Sequence, residues 1–189
     1  MNKIVIFASG TGTNAENIIL HFNKRSQETV FEIFTNNPNA KVIEKAKNLN
    51  VICEVFNKEA LLDDTILKKL KKFNPDLIVL AGFLLKFPDH IIKAFPNKII
   101  NIHPALLPKY GGKGMYGNKV HQAILDNQEK ETGITIHYVN EHYDEGGIIF
   151  QKTINIENCK SSEEIAEKVH GLEQLHFPLV IEKLITQVI

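Results

Sequence analysis

The chain has 189 residues, 43% of them hydrophobic, which is enough for one buried core but too few for two ordinary domains. Its 22 lysines and arginines balance its 22 aspartates and glutamates, so no net charge draws it to nucleic acid or to a membrane surface. Cys53 and Cys159 lie in no CxxC motif or Cys/His cluster, which indicates reduced thiols in a cytoplasmic protein and excludes a zinc finger.

Along the first hundred residues, short apolar runs alternate with segments whose apolar residues recur at helical spacing. The predicted strands are Ile4–Ala8, Val30–Thr35, Val51–Phe56, Leu77–Ala81 and Lys98–Ile102. The predicted helices between them are Ala15–Phe22, Val42–Leu49 and Leu61–Phe73. Strands that are apolar on both faces and separated by helices are typical of a parallel sheet covered on both sides. The sequence therefore predicts a Rossmann-like, doubly wound α/β fold.

The pattern changes after the fifth strand. Pro104–Asn118 is rich in glycine and proline, which indicates a loop, and Val120–Asp126 is predicted to be a helix. Gly133–Val139 alternates apolar and polar residues, and Ile148–Ile156 follows after a short glycine turn. Two such runs close together in sequence predict an antiparallel C-terminal extension of the sheet.

A long helix is predicted to close the chain. Ser161 and Glu164 have the spacing of a capping box, which marks the first turn of a helix. The apolar periodicity then continues toward Leu184. Pro178 interrupts it and predicts a kink or a break, because proline lacks the N–H that a helix interior needs.

A glycine-rich turn follows the first strand, where α/β sheets place their phosphate-binding turns. Gly10, Gly12 and Ala15 satisfy the looser form of the dinucleotide-binding fingerprint, G-x-G-x-x-A. The fingerprint also requires an acidic residue after the second strand, but Thr35–Asn37 contains none. Dinucleotide binding is therefore disfavoured.

Two other interpretations of the turn remain. In one, Thr13 and Glu16 simply form a capping box. In the other, Gly12, Thr13 and Asn14 bind a single phosphate monoester at the start of the following helix. Capping does not account for two glycines spaced by one residue at the carboxyl end of a first strand, so we favour the phosphate site.

Asn101 and His103 lie at the carboxyl end of the predicted fifth strand and, being two residues apart, point to the same side. An amide can stabilise a developing oxyanion, and an imidazole transfers protons near neutral pH. A core histidine beside a capping asparagine is the plainer alternative. Pro104 and Pro108 make the exit from the strand rigid, which favours a functional pair.

Asp144 lies in a second polar segment, Gly133–Gly146, just before a glycine turn. Aspartate before glycine is also ordinary hairpin chemistry. Taken with the first pair, however, Asp144 is the natural carboxylate to orient His103 and to raise its basicity.

Four segments together resemble the formyltetrahydrofolate-dependent formyltransferase family, in the right order and over nearly the whole chain. They are Gly10–Asn14, Val79–Phe83, Asn101–Tyr110 without Ala105, and Gly133–Gly146. The resemblance implies that 10-formyltetrahydrofolate gives its formyl group to the amine of glycinamide ribonucleotide, in purine biosynthesis. It also implies a single domain, with a phosphate-binding half at about 1–80 and a folate and catalytic half at about 81–189.

The resemblance also implies roles for matching positions. His103 transfers protons, Asn101 polarises the formyl oxygen, and Asp144 keeps His103 suitably charged. Residues expected at the substrate phosphate and ribose are Gly12, Thr13, Asn14 and Glu173. Residues expected at the folate are Lys58, Leu84, Leu85, Lys86, Phe87, Asn101, Glu141 and Tyr143. The loop Gly111–Asn118 is expected to be longer than its counterpart in many relatives.

The expected chemistry is direct attack of the amine on the formyl carbon, because no serine or cysteine stands beside His103 in the sequence. No metal is expected, since the spacing of His121, His137 and His142 matches no known site. The expected partners are small molecules only, without nucleic acid or membrane, and the expected state is a monomer or homodimer.

Three rival functions remain open. A formyltetrahydrofolate deformylase shares the Asn/His/Asp residues but carries an extra N-terminal domain, for which we expect no room before Ile4. Methionyl-tRNA formyltransferase carries a C-terminal domain and a basic surface, neither of which we expect here. A non-catalytic nucleotide-binding module has no use for Asn101, His103 and Asp144 together.

Overall fold

A computed structural model of the protein describes residues 1–25 and 28–186, and within them seven strands form one mixed sheet. The strands are β1 (Asn2–Phe7), β2 (Thr29–Thr35), β3 (Ile52–Val55), β4 (Leu77–Leu80), β5 (Ile99–His103), β6 (Glu131–Tyr138) and β7 (Ile148–Asn155). The helices are α1 (Thr13–Asn23), α2 (Val42–Asn48), α3 (Lys58–Leu62), α4 (Asp64–Phe73), α5 (Asp89–Ala94), α6 (Asn118–Asp126) and α7 (Ser162–Thr186). None of these helices is both long and apolar enough to cross a membrane.

The strand order is β3-β2-β1-β4-β5-β6-β7. Neighbouring strands from β3 to β5 are parallel, whereas β6 pairs antiparallel with both β5 and β7. The predicted doubly wound α/β fold with an antiparallel C-terminal extension is therefore confirmed. The order reverses between β1 and β4, and the carboxyl ends of these strands are where such folds form their ligand sites.

Two apolar layers cover the sheet, because successive side chains of a strand point to opposite faces. Ile4 and Ile6 of β1 pack in the layer beneath α1, α6 and α7, while Val5 and Phe7 pack in the layer beneath α4 and α5. All four are fully buried. Burying an aliphatic or aromatic side chain stabilises a fold by ~1.5–3 kcal/mol. The side chains of β1 therefore contribute to the stability of both layers.

The segment predicted as one helix, Leu61–Phe73, is divided into α3 and α4, and that prediction is wrong. Asp63 has extended backbone angles, φ −89° and ψ −172°, between the two helices. Its Oδ1 accepts the N–H of Thr65 at 2.7 Å and so caps α4. The division follows from capping, which hydrophobic periodicity does not report.

The short helix α5 was not predicted. Pro88 has an extended conformation at its N-cap, and Ile91 and Ile92 point into the core. Asp89–Ala94 has only six residues, which are too few to show the hydrophobic periodicity of a helix. The segment therefore could not be distinguished from a loop in the sequence.

The long helix α7 runs through Pro178 without the predicted break. A proline at this position leaves the carbonyl of Gln174 without its usual N–H donor. Nδ2 of Asn17, on α1, donates to that carbonyl at 2.7 Å. At the start of the helix, Oγ of Ser161 accepts the N–H of Glu164 at 3.2 Å, one half of the predicted capping box.

Candidate active site

A cavity of about 780 Å³ opens at the carboxyl ends of the parallel strands. Its wall combines the β1–α1 turn, the segment after β4, the end of β5, the loop after β6 and part of α7. The cavity therefore brings together the two regions singled out in the sequence, the glycine turn and the residues Asn101, His103 and Asp144.

The glycine turn ends in a helix start that no side chain caps. Gly12 is the N-cap of α1, in the left-handed conformation with φ +69°, and makes no side-chain cap hydrogen bond. The carboxylate of Glu16 pairs with Lys45 instead of folding back onto the turn. Thr13 is thus a first-turn residue, and the capping-box interpretation is wrong. The first N–H groups of an uncapped helix are available to an anion.

The two glycines of the turn have different surroundings. A Cβ added to Gly12 would lie 2.4 Å from Cγ2 and 2.9 Å from Cα of Val42 on α2. A Cβ added to Gly10 would meet no atom within 4 Å, although Gly10 also lines the cavity. Gly12 therefore allows close packing, whereas the space beside Gly10 is open.

Side chains from α7 reach the glycine turn. Nδ2 of Asn14 donates to Oε2 of Glu173 at 2.9 Å, and Oδ1 of Asn14 accepts from Nε2 of Gln174 at 2.9 Å. The same Oε2 atom of Glu173 is 3.1 Å from Nδ1 of His170. These bonds place Glu173, the residue expected at the ribose, directly beside the residues expected at the phosphate.

The pairing of β5 with β6 brings two further side chains to the site. Asn101 lies opposite His137, and His103 lies opposite Thr135. Nδ1 of His137 is 2.9 Å from the carbonyl of Tyr138, and because a carbonyl can only accept, Nδ1 carries the proton. Nε2 of His137 then accepts from Nδ2 of Asn101 at 3.2 Å. This bond fixes the Asn101 amide and leaves its second N–H for a ligand.

Asp144 lies between two histidines. Its Oδ2 is 3.6 Å from Nδ1 of His103, and its Oδ1 is 3.6 Å from Nε2 of His137. The backbone N–H of Gly112 donates to Oδ2 at 2.9 Å. Nε2 of His103 donates to the carbonyl of Tyr110 at 2.8 Å, which directs Nδ1 toward the carboxylate.

Burial and charge set the protonation of this pair in opposite ways. Burial lowers the pKa of His103 and outweighs the charge of Asp144 and the carbonyl of Tyr110, which raise it. Burial tends to raise the pKa of Asp144, but the rings of His137 and His103 and the N–H of Gly112 bring it below its ordinary value. At neutral pH, His103 is therefore uncharged and Asp144 is ionised. The gain in basicity expected from Asp144 is present but smaller than the loss caused by burial.

Most of the residues expected at the folate line one wall of the cavity. They are Leu84, Leu85, Lys86, Phe87, Asn101 and Tyr143. The N–H of Leu84 donates to Oγ of Ser9 at 3.0 Å, which ties this wall to the glycine turn. Lys58, at the start of α3, and Glu141 are not among the lining residues.

Thr135 holds the exit of β5 in place. Its buried Oγ1 donates to the carbonyl of Ala105 at 2.7 Å and accepts the N–H of Leu107 at 3.0 Å and Nε2 of Gln151 at 2.9 Å. Sequence reasoning gave no role to Thr135 and considered His137 only as a metal ligand. Thr135 and His137 alternate with apolar residues along β6, the strand that pairs with β5. This alternation was the only sign in the sequence that they share a face with Asn101 and His103.

The loop expected to be unusually long borders the cavity, from Gly112 to Gly117. Beyond it, His121 on α6 also lines the cavity and is only 7% exposed, and its Nδ1 has no hydrogen-bond partner. In residues 1–25 and 28–186, no three histidine, cysteine or acidic side chains are grouped so as to hold a metal ion.

Comparison with known proteins gives one consistent family. A family model described as formyl transferase matches residues 2–181. The phosphoribosylglycinamide formyltransferase of Bacillus subtilis is 34% identical over 191 residues, covering 98% of this chain and 95% of that protein. Two chloroplastic proteins of the same name, from Arabidopsis thaliana and Vigna unguiculata, are each 36% identical over 94% and 96% of this chain. The chain spans only 64% and 60% of their lengths.

Solved structures give the same result. The crystal structure of phosphoribosylglycinamide formyltransferase from Bacillus halodurans superposes with a TM-score of 0.87 at 30% identity, covering 100% of this chain and 97% of that one. That of glycinamide ribonucleotide transformylase 1 from Geobacillus kaustophilus has a TM-score of 0.87 at 34% identity, covering 97% and 98%.

Proposed function

Because the chain belongs to the formyl transferase family, we propose that it transfers the formyl group of 10-formyltetrahydrofolate to the amine of phosphoribosylglycinamide, in purine biosynthesis. The observation that carries the proposal is one cavity lined by both the uncapped glycine turn and Asn101, His103 and Asp144. The names of the relatives support the same acceptor. The reaction needs these two small molecules and no metal, and we expect it to occur in the cytoplasm, in a monomer or homodimer.

The acceptor would bind with its phosphate at the turn. Gly12, Thr13 and Asn14 line the cavity at the positive end of the α1 dipole, where the free backbone N–H groups of the first turn favour a phosphate monoester. Glu173 would accept hydrogen bonds from the ribose hydroxyls, since its carboxylate already lies beside Asn14. The glycinamide end would then extend toward β5.

The chemical step follows from the protonation of His103. The amine nitrogen attacks the formyl carbon, and the carbonyl oxygen becomes an oxyanion that the free N–H of Asn101 stabilises. Neutral His103 accepts the proton that the amine loses, at Nδ1, where the Asp144 carboxylate 3.6 Å away stabilises the new positive charge. The C–N bond to the folate then breaks, and the folate nitrogen takes that proton as it leaves.

The donor would lie along the opposite wall. Leu84 and Leu85 offer apolar surface, and Tyr143, with 42% of its surface exposed, offers a ring beside the Asp144 loop. Phe87 is almost fully buried, against the ring of Phe7, and would support this wall from behind. Lys58 and Glu141 lie outside the cavity lining, so the donor site proposed here omits them.

Consumption of the formyl donor tests the proposal. The protein is incubated with 10-formyltetrahydrofolate and either glycinamide ribonucleotide, no acceptor, or charged initiator tRNA. Loss of the donor should require the ribonucleotide and yield one formylated ribonucleotide per donor consumed. Equal loss without an acceptor, with release of formate, would instead identify a deformylase. Loss that requires the tRNA would identify a tRNA formyltransferase.

Asp144→Asn is the matched control for this assay. Asp144 has φ +57°, a left-handed conformation that asparagine also tolerates. Asparagine keeps an acceptor for the N–H of Gly112 but removes the negative charge beside His103. A folded Asp144→Asn protein should therefore consume the donor much more slowly with every acceptor, and an unchanged rate would contradict the role proposed for Asp144.

A further inference from the structure

One carboxylate oxygen connects the glycine turn to a histidine that the mechanism does not use. Oε2 of Glu173 accepts from Nδ2 of Asn14 at 2.9 Å and lies 3.1 Å from Nδ1 of His170. Glu173 is mostly buried, with 14% of its side chain exposed, whereas His170 is 43% exposed. Both line the cavity.

This arrangement creates an electrostatic conflict for a phosphate at the turn. A phosphate monoester carries close to two negative charges at neutral pH, and the Glu173 carboxylate is hydrogen-bonded to Asn14 of the same turn. The N-terminus of α1 supplies only about half a positive charge. A positive charge next to Glu173 would therefore strengthen binding of the phosphate.

The other charged groups around Glu173 do not provide that charge. His121 on α6 and His103 on β5 both interact with Glu173, but burial lowers the pKa of each and keeps them neutral at neutral pH. Lys45 of α2 is paired with Glu16, two residues after Asn14 in α1. His170 is the histidine that hydrogen-bonds Glu173, and this bond raises the pKa of His170 above its ordinary value.

Two lysines also line the cavity but face other groups. Lys86 is 3.3 Å from Asp89 on the wall after β4, and Lys113 lies in the loop that precedes α6. Neither side chain hydrogen-bonds Glu173 or Asn14 among the described residues. His170 is therefore the group placed to change the charge beside the turn.

We propose that the proton on His170 controls binding of the phosphorylated acceptor: protonated His170 cancels the charge of Glu173, and its loss as the pH rises weakens binding. The proposal rests on the proposed function, since it takes the phosphate to be bound at Gly12–Asn14. His170 is a charge-compensating residue that acts on binding and does not touch the reacting atoms. The effect should consequently fall on the KM for the ribonucleotide and leave kcat unchanged.

The sign follows from linkage. Because binding of the phosphate favours the protonated form, affinity is greatest where His170 is protonated and falls as the pH passes above its pKa. The phosphate itself gains its second charge near pH 6, and the α-amine of the ribonucleotide titrates near pH 8. The contribution of His170 is therefore the part of the pH dependence between pH 7 and 9 that His170→Gln lacks. A coupling of one pKa unit corresponds to about a tenfold change in affinity.

Steady-state kinetics of three proteins test the proposal: the wild type, His170→Gln and His170→Lys. In the wild type, the KM for the ribonucleotide should rise about tenfold from pH 7 to pH 9. In His170→Gln it should be high already at pH 7 and change little. In His170→Lys it should stay low to pH 9, because lysine remains charged. The KM for the folate donor should be the same in all three.

Two further measurements separate a charge effect from a structural one. Glycinamide riboside, which lacks the phosphate, should show a much smaller difference in affinity between the wild type and His170→Gln than the ribonucleotide does. Calorimetry with ribose 5-phosphate should show the same pH dependence as the KM, and it requires no turnover. The same pH dependence in the wild type and in His170→Gln would overturn the His170 proposal. Absence of ribonucleotide-dependent turnover in the wild type would instead overturn the proposed function, and calorimetry would still decide the role of His170.

Discussion

At the scale of single residues, the site depends on which protons His103 and Asp144 carry. Burial makes His103 neutral, and the environment keeps Asp144 ionised, so the pair can accept a proton without first releasing one. Two carboxyl-end positions of β5, Asn101 and His103, share a face because side chains alternate along a strand. Their chemistry thus follows from strand geometry.

Removing the imidazole should abolish most of the chemistry while leaving binding intact. His103→Ala should lower kcat at least ~10²-fold, the usual loss when acid–base help is removed, with little change in the ribonucleotide KM. Rapid-quench measurement of the formyl transfer step checks this directly. A transfer rate within a factor of ~3 of the wild type, well short of that loss, would remove His103 from the proton transfer.

The glycine turn offers a matched pair of substitutions. Gly10→Ala adds a methyl group where no atom lies within 4 Å, at a position that lines the cavity. It should leave the free energy of unfolding nearly unchanged and raise the KM for the ribonucleotide but not for the folate. Gly12→Ala drives a methyl group into Val42 and also requires φ +69°, so it should destabilise the fold, by ~1–3 kcal/mol for overpacking.

Urea unfolding and steady-state kinetics of both variants check this prediction. Equal effects of Gly10→Ala on the two KM values would contradict a phosphate site at the turn. The sequence placed Gly12, and not Gly10, at the phosphate. It could not show that an added methyl group would clash at Gly12 only, because that difference depends on the position of Val42.

The residues of the site were foreseen unevenly, for a physical reason. Asn101 and His103 could be named because they lie at the end of a strand, and Asp144 because it stands in a polar segment before a glycine turn. His137 and Thr135 belong to the site only through the antiparallel register that places them opposite Asn101 and His103. Register between strands far apart in sequence depends on the whole sheet, and neither strand alone specifies it.

At the scale of elements, the contact between α1 and α7 forms the end of the cavity at the glycine turn. Pro178 would ordinarily end or bend a helix, yet α7 continues because Asn17 donates to the carbonyl of Gln174. Gln174 also donates to Asn14 of the glycine turn. The contact between α1 and α7 therefore supplies the donor that the Gln174 carbonyl lacks because of Pro178, and it also positions the glycine turn.

A double-mutant cycle tests this role of Asn17. Asn17→Ala should destabilise the protein by ~1 kcal/mol, because the Gln174 carbonyl loses its donor. In the Pro178→Ala background, the new N–H at position 178 can bond that carbonyl, so Asn17→Ala should cost clearly less. Chemical unfolding of the four proteins gives the coupling energy. The same cost in both backgrounds would mean that Asn17 does not compensate for Pro178.

Other features of the elements were predictable to different degrees. The five parallel strands follow from strongly apolar runs, and each prediction agrees with its strand to within two residues. The division at Asp63 and the helix α5 depend on capping and on short segments, where periodicity gives no information. The continuation of α7 through Pro178 depends on Asn17, about 160 residues earlier. A local sequence pattern cannot report a contact over that distance.

At the scale of the whole molecule, the fold gathers polar groups from both halves of the chain at one edge of the sheet. The family resemblance inferred from four segments is confirmed by the match over residues 2–181. Gathering these groups also has a cost in stability: the buried histidines His103 and His121 are kept neutral, and Nδ1 of His121 has no partner.

Stability should therefore depend on pH through His121. Its pKa is lower in the folded protein than the ~6.5 of an unfolded chain. Between those two values the unfolded state binds more protons, so the free energy of unfolding decreases as the pH falls below about 6.5. His121→Leu should remove this part of the decrease, ~1.4 kcal/mol for each unit by which the pKa is lowered.

Urea unfolding at pH 7.5, 6.5 and 5.5 measures the effect. His121→Leu should be at least as stable as the wild type at pH 7.5, because it also removes an unpartnered buried nitrogen. It should lose less stability than the wild type by pH 5.5. A steeper loss in the variant would show that protonation of His121 stabilises the folded state.

The central claim is that one acceptor molecule extends from the glycine turn to His103. A crystal structure with glycinamide ribonucleotide and no folate tests it most directly. We predict phosphate oxygens within hydrogen-bond distance of the backbone nitrogens of Gly12–Asn14, and the amine beside Asn101 and His103. A phosphate bound at Lys86 or Lys113, with the amine directed away from His103, would contradict the account.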